Sequence, residues 1–444
     1  MRRESVIGLC LLLLLLGTSP QTATAQDQAT GPQVSLSLHD ALSLALANNL
    51  DYQAALTDER AAAEVAGMIH GVFLLQPDLS VGYSFFHTQS PGSFTFGNPP
   101  RSFQVAPNYL NNADAALSLT LFDGGKIQAQ VGQAEATYAG AVSQLAASRA
   151  TVIRDVTNAY FQLVQATRAA AVADQATGVA QQNLTTSQQL YRAGTAARAD
   201  VLRQEVTLAN ARVQAIQAHN SAALANAQLA NLLNINLGSI ITPTEPLEVK
   251  TPAFSLDTLL AASQKRPELT AAQQAVNIAS ESVAIARSAL LPKVNVTVQD
   301  ASSKPNFENI PQPQLSETLA LTWKLWDGGI TRANIIQAQD QVDRAKIQLR
   351  QLENGVDLEV RQAYLTYQAA EAQVDAARTA QASAQESLRV SEIRYRAGVG
   401  TSLELSDALL ASTQAQNQYI NALASLRQAL VAVQRAAGLL PETP

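Results

Sequence analysis

The hexapeptide LFDGGK at Leu121–Lys126 returns as LWDGGI at Leu325–Ile330, 204 residues later. Three further landmarks repeat at the same offset. Ala159-Tyr160 matches Ala363-Tyr364, Tyr191-Arg192-Ala193-Gly194 matches Tyr395-Arg396-Ala397-Gly398, and Asp200 matches Glu404. Agreement at one spacing makes this an internal duplication, so the chain must fold as two copies of one plan. The first copy is expected over 26–240 and the second over 255–440. Between them, ITPTEPLEVKTPAF (241–254) carries three prolines and reads as a linker or an extended crossing segment.

Each copy has the same internal order. An alanine-rich helix is expected first, at 37–72 and 255–290, ended by Pro77 and Pro292. Alternating segments follow. Leu79, Val81, Tyr83 and Phe85 alternate with small or polar residues, as do Ala115, Leu117, Leu119 and Leu121. In the second copy the alternating sets are Val294, Val296 and Val298, then Leu319, Leu321, Trp323 and Leu325. A period of two predicts strands with one apolar and one polar face, paired at about 78–122 and 293–326. From the proline to the repeated turn the copies differ by 11 residues, an insertion placed in or beside the first loop, around SPGSFTFGNPPRS.

At the turns, Gly124 and Gly125, like Gly328 and Gly329, can take dihedrals closed to other residues and swing the chain sharply out of the strand direction. Asp123 and Asp327 are placed to accept from amides at the start of the next helix. No proline then appears before Pro243 or Pro441. As one helix, the run from Lys126 to Leu190 would be about 95 Å long. The second run carries a heptad: Val342, Leu349, Val356, Ala363, Ala370, Ala377 and Ala384, with companions Val360, Tyr367, Val374 and Leu388. A weaker apolar line of Ile347, Leu358, Leu365, Ala372 and Ala376 asks for neighbours on the other side as well. At the Tyr-Arg-Ala-Gly segments, Gly194 and Gly398 can cap the helix and let the chain turn back. Long helical hairpins are therefore expected at 126–238 and 330–438, with tips near 191–200 and 395–407; 441–444 is a short tail.

Composition supports helices packed side by side. Hydrophobic residues make up 47% but aromatics only 5%, and alanine fills most of the difference. The first 25 residues have Arg2 and Arg3, an apolar stretch from Val6 to Leu16 and an Ala23-Thr24-Ala25 cleavage signature, so they read as a secretory signal. Its loss removes two arginines and one glutamate, taking the net charge from −6 to −7, which argues against a nucleic-acid partner. The single cysteine, Cys10, lies within this signal ahead of Leu11–Leu16, a poor position for a lipid anchor, and leaves the mature chain without thiols.

Chemistry-bearing motifs fail one by one. His39, His70, His87 and His219 have no metal-ligand spacing and read as surface or packing residues. The DGGKI segment lacks the earlier glycine of a phosphate loop and has Ile127 where a hydroxyl residue should bind magnesium. No G-x-S-x-G is present. No enzyme activity and no cofactor or metal is expected. Tyr160 and Tyr364 read as helix-seam packing, with pore lining as the alternative.

Four strands with one greasy face cannot lie in a bilayer alone, because their edge amides would be unsatisfied. A soluble sandwich would bury the apolar faces against each other, but the helices are too long to wrap so small a sheet. A transmembrane barrel shared by several subunits fits an exported chain better. Parity permits a dimer of eight strands or a trimer of twelve.

With its repeated LFDGG/LWDGG turns, paired YRAG tips and duplication, the sequence resembles the TolC-like outer-membrane efflux family over nearly all of the mature chain. The resemblance implies a mainly α protein with a small membrane β part, assembled as a homotrimer. Four transmembrane strands per chain would close a 12-stranded barrel above a long periplasmic tunnel of helices. It implies an exit duct serving an inner-membrane pump through a periplasmic adaptor, expelling small molecules or proteins. Asp123, Gly124, Gly125, Asp327, Gly328 and Gly329 would mark the barrel-to-tunnel turns. Tyr191, Gly194, Asp200, Tyr395 and Gly398 would lie at the periplasmic tip where the adaptor docks. Glu404 and Asp407 match two acidic positions that line the entrance constriction; the competing reading is of solvated helix carboxylates. Some family members also restrain the closed tip through a tyrosine, an aspartate and an arginine. Asp200 and Tyr395 match, but the arginine position is Gly400. The alternative function is a periplasmic coiled-coil adaptor or scaffold, which usually has one hairpin where this chain has two.

Overall fold

The computed structural model describes residues 33–72, 78–88, 93–104, 108–248, 252–305 and 312–440. The expected signal, Cys10 and the tail at 441–444 lie outside them, as do the side chains of His70 and His87.

The first copy opens with strand β1 (Gln33–Leu36) and helix α1 (Leu38–Asn48), whose N-terminus is closed by a reciprocal Ser37–Asp40 capping box. Helix α2 (Leu50–Val72) follows. The single helix expected over 37–72 is thus two. Asn49 leaves the helical backbone and its side-chain oxygen accepts from the Tyr52 amide, restarting the chain as a new helix. In the second copy the same division gives α5 (Leu256–Ser263) and α6 (Pro267–Ser288). There Pro267 sits at the first helical position, which it tolerates, and disfavours helix at the residue before it.

Strands β2 (Asp78–Thr88) and β5 (Asn108–Phe122) flank a small added hairpin, β3 (Ser93–Phe96) with β4 (Arg101–Gln104). That hairpin lies within the stretch expected to hold the insertion. The second copy contributes β7 (Lys293–Pro305) and β8 (Gln312–Thr322). The four long strands form one antiparallel sheet in the order β2-β5-β7-β8, so the copies join through β5 and β7. Pro313 is tolerated because β8 is an edge. The alternation expected to run through Trp323 and Leu325 stops at Thr322. Beyond it the Trp323 indole donates instead to the Leu290 carbonyl, 3.0 Å away, at the end of α6.

Each glycine turn releases a 67-residue helix, α3 (Lys126–Arg192) and α7 (Ile330–Arg396). These turn back as α4 (Arg198–Leu232) and α8 (Ser402–Ala436). Helix α3 packs on α4 and α8, and α8 on α7, so the order across the wall is α4-α3-α8-α7. In the upper part α2 lies on α3, and α6 lies between α3 and α7. The short helices continue the line of the hairpin return helices. Asn49 Nδ2 donates to the Leu232 carbonyl at the end of α4 (3.2 Å), and Arg266 donates to Ala436 O at the end of α8 (3.3 Å).

The main core sits halfway along α3. It gathers Val156, Tyr160, Phe161, Leu229, Leu233, Val356, Val360, Tyr367 and Val433 with α1 and α5. The segment read as a linker contains strand β6 (Ile240–Pro243), which pairs parallel with β1. Buried Tyr160 pins this strap: its hydroxyl donates to Leu36 O (2.9 Å) and accepts from the Thr244 amide (3.0 Å). Tyr367 bonds Pro252 O (3.0 Å), and Arg427 stacks on Phe161 while donating to Pro246 and Leu247 carbonyls. No helix among the described residues is long and apolar enough to cross a membrane.

Candidate functional site

Three places along the molecule carry the residues singled out in the sequence. At the strand-to-helix turns, Gly124, Gly125, Gly328 and Gly329 all have positive φ, between 70° and 91°. A Cβ on Gly124 would also lie 2.7 Å from Ser288 O, so the residue serves both the turn and the close approach of α6. Asp123 Oδ1 accepts from Gly125 N (3.0 Å) and Oδ2 from Ile127 N (2.7 Å). Asp327 repeats this with Gly329 N (3.0 Å) and Thr331 N (2.8 Å), and adds the Thr331 hydroxyl. The Thr331 hydroxyl and amide hold the Asp327 carboxyl below its ordinary range.

The sheet above has two unlike faces. Register places Leu79, Val81 and Tyr83 with Ala113, Ala115, Leu117, Val296, Val298, Leu319 and Leu321 on one face, which also holds the charged Asp300 and Glu317. The other carries Ser80, Ser84, Asn112, Asp114, Ser118, Thr297, Gln299, Ser316 and Thr318. On β2 and β5 the apolar residues Val81, Tyr83, Ala113, Ala115 and Leu117 are exposed, while Ser84, Asn112, Asp114 and Ser118 are only half-exposed. At these positions of the two strands the polar residues are therefore the more covered ones. A sheet with one apolar and one polar face has the alternation that the wall of a transmembrane barrel requires.

At the far end, the Tyr-Arg-Ala-Gly segments reverse both long helices. Gly194 and Gly398 are left-handed (φ 76° and 75°), and Thr195 N and Val399 N bond back to Leu190 O and Arg394 O at 3.0 Å. The two tips match in backbone but not in side chains. Tyr191 is 47% exposed, whereas Tyr395 is 5% exposed and its hydroxyl bonds Ser187 Oγ at 3.0 Å. Asp200 does not meet Tyr395. It caps α4 through Ala197 N (3.3 Å) and accepts from the Ser402 hydroxyl at the start of α8. Glu404 is exposed and closes a capping box with Thr401. Asp407 is exposed one turn on and lines a groove of about 430 Å³ between α4 and α8, with Thr207, Gln214, Ser406 and Thr413.

Sequence reasoning missed Ser187, Gln204, Ser402 and Ser406, which join the two tips. Their only signal is polarity at positions where a helix seam would ordinarily be apolar. Elsewhere, the exposed His219 lies 3.0 Å from both Asp174 oxygens, and no cluster with metal-binding geometry occurs among the described residues.

The model of the family described as "Outer membrane efflux protein" matches residues 41–235 and 259–439, which together take in most of both copies. The chain belongs to the outer membrane efflux protein family. It is similar to protein CyaE of Bordetella pertussis, 27% identical over 349 residues, 77% of this chain and 73% of that one. It is 26% identical to the outer membrane efflux protein BepC of Brucella suis, over 76% of this chain and 74% of the relative. In fold it resembles the CmeC outer membrane channel of Campylobacter jejuni, with a TM-score of 0.79 at 18% identity, covering 97% and 95% of the two chains. This efflux protein is an outer-membrane channel of the TolC type with a long periplasmic helical part, as the sequence resemblance led us to expect. The matched ranges begin and end within the two copies and skip the strap between them.

Proposed function

We propose that three copies close into one continuous duct, and that the duct receives its cargo from an inner-membrane pump through a periplasmic adaptor. The observation that carries this reading is that one chain is unfinished along both edges. Among the described residues, strands β2 and β8 each have one unpaired side. Edge helix α7 exposes Ile347, Leu358 and Leu365, and edge helix α4 exposes Leu202, Val206, Val213 and Ile216 at helical spacing. Edge strand β8 runs through the Asp327 turn directly into edge helix α7, so one neighbour can complete sheet and wall together. Eight strands make a barrel that side chains fill, whereas a duct needs an open bore, which favours twelve strands and three chains.

In this trimer the tips, with Tyr191, Gly194 and Gly398, form the adaptor-docking end. Glu404 and Asp407 stand at the entrance, six carboxylates around one opening. The chain does no bond chemistry, and the pump supplies the energy. A free-standing adaptor is disfavoured because the chain has two hairpins and a four-stranded sheet with an exposed apolar face. Membrane fractionation with electrophoresis before and after heating tests the assembly. The duct appears in the outer-membrane fraction as an oligomer that heat dissociates; a periplasmic monomer would overturn the reading. Crosslinking through cysteines at Thr195 and Val399 tests the docking end, and failure to capture an adaptor removes that assignment.

A further inference from the structure

Where α8 stops and α6 starts, the chain holds more positive charge than it neutralises. A cavity of about 170 Å³ lies at this junction. Its α3 wall is Arg149, flanked at helical spacing by Ala146, Ala150 and Ile153. Arg266 and Glu268 come from the start of α6, and Arg435 from the end of α8. Arg266 is committed: Nη1 donates to Glu359 (2.6 Å) and Ala436 O (3.3 Å), and Nε to Glu268 (3.3 Å). Arg435 Nη2 donates to Glu268 (2.5 Å), but its Nε is buried without a partner. Among the described residues it is the only such side-chain atom on a charged group. Arg149 is half-buried and makes no hydrogen bond or ion pair among the described residues. Three guanidiniums thus meet two carboxylates, Glu268 and Glu359, and one positive charge is left over. Beyond the Glu268–Arg435 pair a larger cavity of about 460 Å³ has Asp51 and Asp155 in its wall, so the positive excess is confined to the small one.

We propose that this cavity binds the carboxylate of a small organic acid, with Arg149 and Arg435 as its counter-charges and Ala146, Ala150, Ile153 and Leu440 against its apolar body. The charge count asks for one negative charge, and a carboxylate supplies the acceptors that both guanidiniums lack. A guanidinium nitrogen buried without an acceptor costs stability that a bound carboxylate restores. Pro267 and Glu268, in the first turn of α6, form part of the wall, so the positive end of that helix dipole adds to the attraction. The apolar lining favours an acid that can bury carbon over a fully hydrated ion. The walls belong to α3, α6 and α8, none of them an edge element, so the site is complete in one copy and does not depend on the duct reading. The same chemistry has a second source within the chain. Leu440 lines the cavity, and Glu442 follows two residues on, within about 7 Å of extended chain. A carboxylate bound from either source ties α3 to the end-to-end junction of α8 with α6.

The test is equilibrium dialysis of radiolabelled benzoate against the purified protein at neutral pH, with calorimetric melting alongside. Benzoate should bind saturably, one per chain, and raise the melting temperature. Acetate, which buries almost no carbon, should bind about tenfold more weakly or worse. Arg149→Gln should weaken benzoate binding by about tenfold or more and leave the fold intact, because Arg149 makes no bond within the described chain. Glu442→Gln separates the two sources. If the Glu442 carboxylate fills the cavity, the native chain binds little benzoate, Glu442→Gln binds one per chain, and adding Arg149→Gln abolishes that gain. If a free acid is the ligand, Glu442→Gln binds benzoate as the native chain does. Absence of saturable binding in both the native chain and Glu442→Gln overturns the inference, as does binding that Arg149→Gln leaves unchanged. Either failure leaves the heat-sensitive oligomer, and with it the duct reading, untouched. A monomer on unheated gels defeats the duct reading and not this site.

Discussion

Asp327 does two jobs with one carboxylate: it ties down Gly329 N in the left-handed turn and caps α7 through Thr331. The Thr331 bonds lower its pKa from an ordinary 3.8. A group whose folded pKa is depressed contributes stability that is fully present above the ordinary value and lost as pH falls through the folded value. Amide protection at Ile330–Ala333, corrected for intrinsic exchange, should therefore fall as pH drops below 3.8 in the native chain. In Asp327→Asn it should be low throughout; equal protection in the two proteins would remove the cap from the account. Gly124 meets a stricter demand, because an added methyl strains φ and collides with Ser288 O. Gly124→Ala should cost about 1–2 kcal/mol, read as a lower dissociation temperature of the oligomer, whereas Gly328→Ala, with open space around it, should cost less. The aspartates and glycines were legible because short-range chemistry demands them. The tyrosines were only half legible. Tyr160 fills the core position its repeat implies, but in the second copy the strap is held by Tyr367, one turn beyond Tyr364. Both residues fit the seam pattern, and only the path of the strap chooses between them.

At the scale of elements, the heptad was the most readable feature. Val356, Val360, Tyr367, Ala370 and Val374 are buried, and Val342, Leu349, Ala363, Ala377, Ala384 and Leu388 are half-buried. The weaker line is where the monomer stops explaining itself, since Leu358 and Leu365 remain 55% and 63% exposed. If a neighbouring chain covers them, Leu365→Asp buries an unpaired carboxylate and should weaken each interface by about 3 kcal/mol or more. The expected outcome is loss of the heat-sensitive oligomer on gels with helical circular dichroism retained. A normal oligomer would mean that α7 is not an interface. The junction of α6 with α8 is held from inside one chain instead. Arg266 is 4% exposed and bonds Glu359 at 2.6 Å, while Glu268 also pairs with Arg435. Arg266→Ala leaves both glutamates short of a partner and should destabilise the fold by about 3 kcal/mol, measured by thermal melting. Nothing in the local sequence announces this junction, because Arg266 and Ala436 are far apart along the chain and meet only once two helices are stacked end to end.

For the whole molecule, the same unfinished edges that ask for neighbours also decide what Glu404 and Asp407 can do. In one chain Glu404 and Asp407 are exposed helix residues, and an isolated carboxylate in water at physiological salt is screened within about 8 Å. If three copies bring them around one narrow opening, as proposed, the same groups lie within reach of one another and favour cations. The contrast makes Asp407→Ala a test of assembly geometry as well as of the residue. Asp407 lines the α4–α8 groove without capping a helix, so its removal should leave folding intact, unlike removal of Glu404, which closes the α8 cap. Single-channel recording of Asp407→Ala should show higher conductance and severalfold weaker block by divalent cations added from the tip side, with block from the barrel side little affected. If block is unchanged from both sides, the two carboxylates are ordinary solvated groups, and the entrance must be narrowed by the neutral residues beside them rather than by charge.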